Sequence, residues 1–160
     1  MMNNEFEKAR SYAYRLLSYR QRSGKEIESR LRQKGFEPEV TGQVIEQLAE
    51  YGYINDREFA CNWVEQRLGK RGVKRLKQEL FEKGVSGEIV GEALAGLDSD
   101  AEYKAAIKLA KKVLQRGDGE FSYPRLAGAL NRRGFSSEVV RQVCQIARDG
   151  LIDVVWLDNL

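Results

Sequence analysis

The 160 residues contain no histidine. The commonest general base and the commonest metal ligand are therefore missing, which excludes a Ser-His-Asp triad, a Cys-His dyad or a zinc site in its usual form. Cysteine is scarce as well. Cys61 and Cys144 lie far apart with no CxxC spacing, so both read as buried small apolar residues and not as a redox or metal pair. No apolar run approaches the roughly 20 residues of a membrane-spanning helix. The opening MMNNEFEKAR has no basic stretch leading into an apolar one, so a cytoplasmic protein without a secretory signal is expected. Strand signals are weak: Asp118-Gly119, a hairpin-like dipeptide, lies between two helical patterns.

Catalytic constellations are equally thin. Neither GxxxxGK[ST] nor GxGxxG fits the sequence, and GKRG at 69–72 joins two helical patterns without a strand before it. Phosphate capture at that helix start is a weak alternative. Asp98 and Asp100 resemble paired carboxylates, yet DSDAE opens a helix, where acids suit the dipole and the caps. A protein that is not an enzyme, with no cofactor and no metal, is expected.

What the chain does have is a repeat. LRQKGF at 31–36, LFEKGV at 80–85 and LNRRGF at 130–135 recur at intervals of about fifty residues. The register extends further: Ile27, Leu76 and Leu126 precede the leucine by four, and Val40, Ile89 and Val139 follow it by nine. Gly35, Gly84 and Gly134 each follow the last apolar turn and can take the left-handed conformation that ends a helix. Gly52 and Gly117 end two others. Starts are marked by Ser23 with Glu26, Asn55 with Glu58 and Ser99 with Glu102, all at capping-box spacing. The pattern predicts nine helices, near 4–20, 24–34, 38–51, 56–69, 73–83, 87–96, 99–116, 123–133 and 137–149.

The expected fold class is all-α: three tandem three-helix, helix-turn-helix-like repeats at 1–54, 55–97 and 98–150, forming an elongated array. A tail at 151–160 contains Val154, Val155, Trp156 and Leu157. It is expected to dock on the third repeat; the alternative is an exposed anchor for a partner. Phe59, Ala60, Trp63, Val64 and Leu68 recur at helical spacing and are expected in the core.

Charge alternates with the repeat. Segments 1–36, 67–84 and 111–134 are strongly basic, while 37–66, 85–110 and the end of the chain are acidic. The basic residues of the second helices are Arg30, Arg32 and Lys34, then Arg71, Lys74, Arg75, Lys77 and Lys83, then Arg125, Arg132 and Arg133. Each run is either a solvated face or part of a stripe that meets a polyanion or an acidic surface; recurrence favours the stripe. The third helices of the first two repeats carry Glu37, Glu39, Glu46 and Glu50, and Glu88 and Glu92, and no base. Such helices are repelled by phosphate, which argues against operator reading by a helix-turn-helix.

GYINDREFA at 52–60, followed by Arg67, Gly72 and LKQELFEKGVS at 76–86, resembles the core signature of the RecX regulatory proteins. Asn55 stands where that family often has Asp; both residues cap helices. The resemblance covers nearly the whole chain. It implies a modulator, most typically an inhibitor, of RecA and its nucleoprotein filament. A monomer is expected, with single-stranded DNA as a further partner. The alternative is a sequence-nonspecific DNA-binding protein that acts without RecA.

Overall fold

The computed structural model describes residues 2–98 and 100–158 and contains, among them, ten helices and no strand. They are α1 (Met2–Tyr19), α2 (Gly24–Gln33), α3 (Pro38–Glu50), α4 (Asp56–Arg67), α5 (Val73–Glu82), α6 (Gly87–Ala95), α7 (Ala101–Arg116), α8 (Tyr123–Arg132), α9 (Ser137–Arg148) and α10 (Ile152–Asp158). The first nine follow the periodicity to within two residues. The tenth replaces what reads in sequence as an apolar tail.

The six-residue repeat is a helix stop in all three places. Gly35, Gly84 and Gly134 have φ of +94°, +75° and +78°. At each, the amide after the glycine donates to the carbonyl of the repeat's leucine: Phe36 to Leu31, Val85 to Leu80 and Phe135 to Leu130. The glycine amide closes the inner bond, to Arg32, Phe81 and Asn131 respectively. That is the Schellman arrangement, and it explains the recurring letters: an apolar residue at each end of the bonded loop and glycine where φ is positive. The three leucines are fully buried, as are Ile27 and Leu76, with Leu126 nearly so. Gly52 and Gly150 repeat the turn, with Tyr53 bonded to Leu48 and Leu151 to Ile146.

The chain forms two compact units: Met1–Asn62 with Leu80–Ala93, and Trp63–Glu79 with Leu94–Leu160. In the first, α1, α2 and α3 pack on one another around Ala9, Ala13, Ile27, Leu31, Val44 and Leu48. Alanines on α1 let the helix backbones approach closely. Ser23 caps α2 with both halves of the capping box present, as the SxxE spacing predicts. Thr41 is the unusual member of this core: its Oγ1 is buried without a hydrogen-bond partner. Thr41→Val removes that unmet polar group at nearly constant shape. We expect it to raise stability by about 1 kcal/mol, read as a higher urea midpoint.

In the second unit α7, α8, α9 and α10 pack around Ala106, Ile107, Ala110, Leu126, Leu130, Phe135 and Val143. α10 lies against α7 and α9. Ile152 is buried and Val155 packs on this core, whereas Val154 is 56% exposed. The side chains of Trp156 and Leu157 lie outside the described residues, as does Ser99, the expected cap of α7.

Two sequence expectations for the core change. Cys144 is buried, and burial pushes its thiol pKa up. Cys61 is exposed, because on α4 the buried face is taken by Phe59, Ala60 and Val64. Trp63 is half-buried, not a core residue; its indole N–H needs a partner and finds one at Glu79.

Both units contain the same joint. In the first, the start of α2 meets the turn after α5: Ser23 Oγ donates to the Lys83 carbonyl at 2.5 Å, and the Gly24 amide donates to Asp56 at 2.9 Å. In the second, the start of α5 meets the turn after α8. Gly72 and Lys74 amides donate to the carbonyls of Arg133 and Gly134 at 2.8 and 3.0 Å, and the Val73 amide donates to Glu102 at 3.0 Å. In each case an acid in the first turn of one helix satisfies the first amide of another, whose start also rests against a glycine turn.

Candidate functional site

The basic residues singled out by sequence fall in three settings. In the first unit, Arg30, Arg32 and Lys34 are exposed at the end of α2. Arg32 reaches Glu28 at 3.7 Å, and Lys34 Nζ lies 5.9 Å from the Tyr12 ring centre. Lys83 is turned to Glu26, 3.1 Å away. Burial pushes the Glu26 carboxyl up, but hydrogen bonds from Arg20, Lys83 and the Ser23 amide outweigh it and hold its pKa below the ordinary value.

In the second unit a polar cluster forms where α4 ends and α5 begins. Glu79, whose side chain is 12% exposed, is its centre. Its Oε1 accepts from Arg75 Nε at 3.1 Å and lies 3.3 Å from Arg71 Nε, while its Oε2 accepts from Trp63 Nε1 at 3.1 Å. The Arg67 guanidinium stacks on the indole, 3.5 Å from the ring centre. Arg71 and Arg75 are thus drawn partly inward by one carboxylate, which fixes the 68–72 turn. Lys74 donates to Ser137 Oγ at 3.0 Å, and Lys77 is exposed.

The third setting is a cleft of about 590 Å³ beside that cluster, within the same unit. One wall is α7, where Lys108, Lys112 and Arg116 stand at successive i, i+4 positions. The other is α8 and its cap, with Arg125, Arg132 and Arg133; Lys70 closes one side from the α4–α5 turn. Leu109, Val113 and Ala129 form the apolar part of the lining, and no acid takes part in it. Among the described residues none of these seven cations makes an ion pair with a carboxylate. That separates them from Arg71 and Arg75, and it concentrates positive potential in a concave, partly apolar space.

Sequence reasoning marked Arg125, Arg132 and Arg133, and Lys70 belongs to the GKRG segment at 69–72. That reasoning missed Lys108, Lys112 and Arg116, although their spacing puts all three on one helix face. Among the described residues no group of His, Cys, Asp and Glu is placed to hold a metal ion, and no helix is long and apolar enough to cross a membrane.

These features define a class: an all-helical protein of tandem three-helix units whose chemistry is presented charge. Comparison with known proteins makes the class specific. Residues 9–48 match the first three-helix domain of RecX and residues 55–94 the second. The chain is 33% identical over 156 residues to the regulatory protein RecX of Mycobacterium sp. (strain JLS), covering 92% of this chain and 85% of that one. It is 36% identical over 143 residues to that of Mycobacterium ulcerans (strain Agy99), covering 86% and 83%. With the regulatory protein RecX of Bacillus subtilis (strain 168) it shares 34% identity over 86% of this chain, which spans 54% of that longer protein. The crystal structure of RecX from Lactobacillus salivarius superposes with a TM-score of 0.82 at 24% identity, over 91% of this chain and 98% of that one. This chain belongs to the RecX family of regulatory proteins.

Proposed function

We propose that the chain acts in the cytoplasm as a monomer that binds RecA or its filament on single-stranded DNA. It restrains filament assembly and, through it, ATP hydrolysis and strand exchange. The observation that carries this reading is the run of two consecutive RecX three-helix domains over 9–94, within relatives named as regulatory proteins across most of the chain. The geometry supports it physically. Each unit offers an exposed basic edge at the end of a second helix, and several modest charge contacts made together sum to useful affinity through effective concentration.

The test is RecA ATPase on single-stranded DNA, titrated with this protein at two DNA concentrations. A filament binder inhibits at ratios well below one per DNA site and does so equally at both concentrations. Inhibition that vanishes when DNA is in excess would replace the proposal with simple competition for strands. The exposed triple charge reversal Arg30→Glu, Arg32→Glu, Lys34→Glu is expected to weaken inhibition at least tenfold with an unchanged melting transition. Undiminished potency would remove these residues from the contact.

A further inference from the structure

We propose that the groove between α1 and the turn after α2 is a docking site for a short acidic segment of another protein that carries an apolar or aromatic side chain. The inference goes beyond the RecA reading, because it concerns the chemistry that one groove selects, whichever protein supplies the segment.

The groove has a volume of about 550 Å³ and lies wholly within the first unit. Lys8, Tyr12 and Arg15 line it from one face of α1, and the turn after α2 adds Lys34 and Phe36. Three observations carry the assignment. The first is an apolar floor that the fold leaves open. Tyr12 and Phe36 pack on the core of the first unit yet stay half-buried, with ring centres 6.4 Å apart and planes inclined by 44°. An apolar side chain seated against them would cover surface that the fold itself does not. The second is a rim of one sign. Lys8, Arg15 and Lys34 are exposed, and among the described residues none of them makes an ion pair with a carboxylate. Glu7, the acid in the lining, is taken by Arg10 at 2.5 Å. Carboxylates brought by a partner would supply the missing charge. The third is preorganisation. The Arg15 guanidinium lies 5.1 Å from the centre of the Tyr12 ring and Lys34 Nζ 5.9 Å, so cations from two elements are held over one aromatic. Side chains that are already ordered lose less freedom on binding.

The same arrangement disfavours a nucleic-acid strand here. A base stacks on an open ring face, and that of Tyr12 already carries two cations, while the inclination of Phe36 offers no parallel slot. The cleft between α7 and α8 is richer in cations but has no aromatic in its lining. A peptide's place of binding, and its dependence on its own apolar side chains, therefore separate the two sites.

The experiment is fluorescence anisotropy of the full chain with a short labelled peptide in which Phe and Leu are set among Asp and Glu, with amide NMR spectra to locate it. Binding is expected, with the largest shift changes at Tyr12, Lys34 and Phe36. Replacing the peptide's Phe and Leu by Ser, or its acids by Asn and Gln, should each weaken binding about tenfold or more. Lys8→Glu with Arg15→Glu should weaken binding of the original peptide about tenfold or more. Both side chains are exposed, so this variant is expected to melt like the parent; if it does not, Lys8→Gln with Arg15→Gln makes the same comparison with a smaller change of charge.

No binding of the acidic peptide, binding that survives loss of its Phe and Leu, shift changes centred on α7 and α8, full potency in the charge variants, or displacement by oligo-dT at equal charge concentration would each overturn the assignment. So would a concentration-dependent dimer of the parent chain that these substitutions abolish, because a second copy would then be the occupant. Failure here with RecA inhibition intact removes only the groove proposal. Binding here without RecA inhibition removes only the regulatory one.

Discussion

Gly134→Ala is expected to lower stability by about 3–4 kcal/mol, whereas the same change at Gly35, in the same motif, should cost about 1 kcal/mol. Both glycines end a helix with positive φ, at +78° and +94°, so both substitutions carry the left-handed strain of an L-residue. They differ in what surrounds them. A Cβ on Gly35 would meet nothing within 4 Å. One on Gly134 would lie 2.5 Å from the backbone nitrogen of Arg75 and 2.9 Å from its Cα. Backbone cannot rotate away as a side chain does. Relief requires α5 to withdraw from the turn, and that withdrawal stretches the bonds from Gly72 to Arg133 and from Lys74 to Gly134. Urea unfolding of the two variants checks this. Equal losses would mean that α5 does not rest on that turn in solution. Gly72→Ala probes the same contact from the other side, since its added Cβ would overlap the backbone of Gly134 and Phe135.

The contrast between Gly35 and Gly134 also marks where the sequence stops being legible. The local half of each motif is spelled out: a leucine, a glycine and a following apolar residue are enough to specify the helix stop. The other half, a socket for the start of a different helix, depends on a partner more than fifty residues away, and nothing local announces it. The charged surface follows the same division. Arg75 and Glu79 are spaced i, i+4, a local signal that these charges pair; counting net charge along the segment hid it, so the whole run reads as outward-facing. Lys108, Lys112 and Arg116 were hidden for the opposite reason. The row straddles the junction between an acidic and a basic stretch, and averaging over either stretch dilutes it. Cys61 and Trp63 differ from expectation because α4 buries a narrow face, and residues one position away from that face lie at its edge.

Glu102→Ala is expected to cost about 3 kcal/mol, several times what a surface acid contributes, because one carboxylate serves two helix starts. Its Oε1 accepts from the Val73 amide at 3.0 Å and the Ser136 amide at 2.8 Å, and its Oε2 accepts from Ser136 Oγ at 2.9 Å. Val73 is the first residue of α5 and Ser136 the cap of α9. Two helix dipoles therefore point their positive ends at the same group, and removing it leaves two amides without an acceptor. Glu102→Gln keeps one oxygen acceptor but loses the charge, so it should fall between parent and alanine. Asp56→Ala, which gives up a single bond from the Gly24 amide, should cost about 1–1.5 kcal/mol. Amide hydrogen exchange separates this account from general weakening: at Val73 and Ser136 exchange should accelerate in Glu102→Ala well beyond the change at amides within the α7 core. Uniform acceleration across the second unit would instead mean that Glu102 contributes only to global stability and does not cap these two helices.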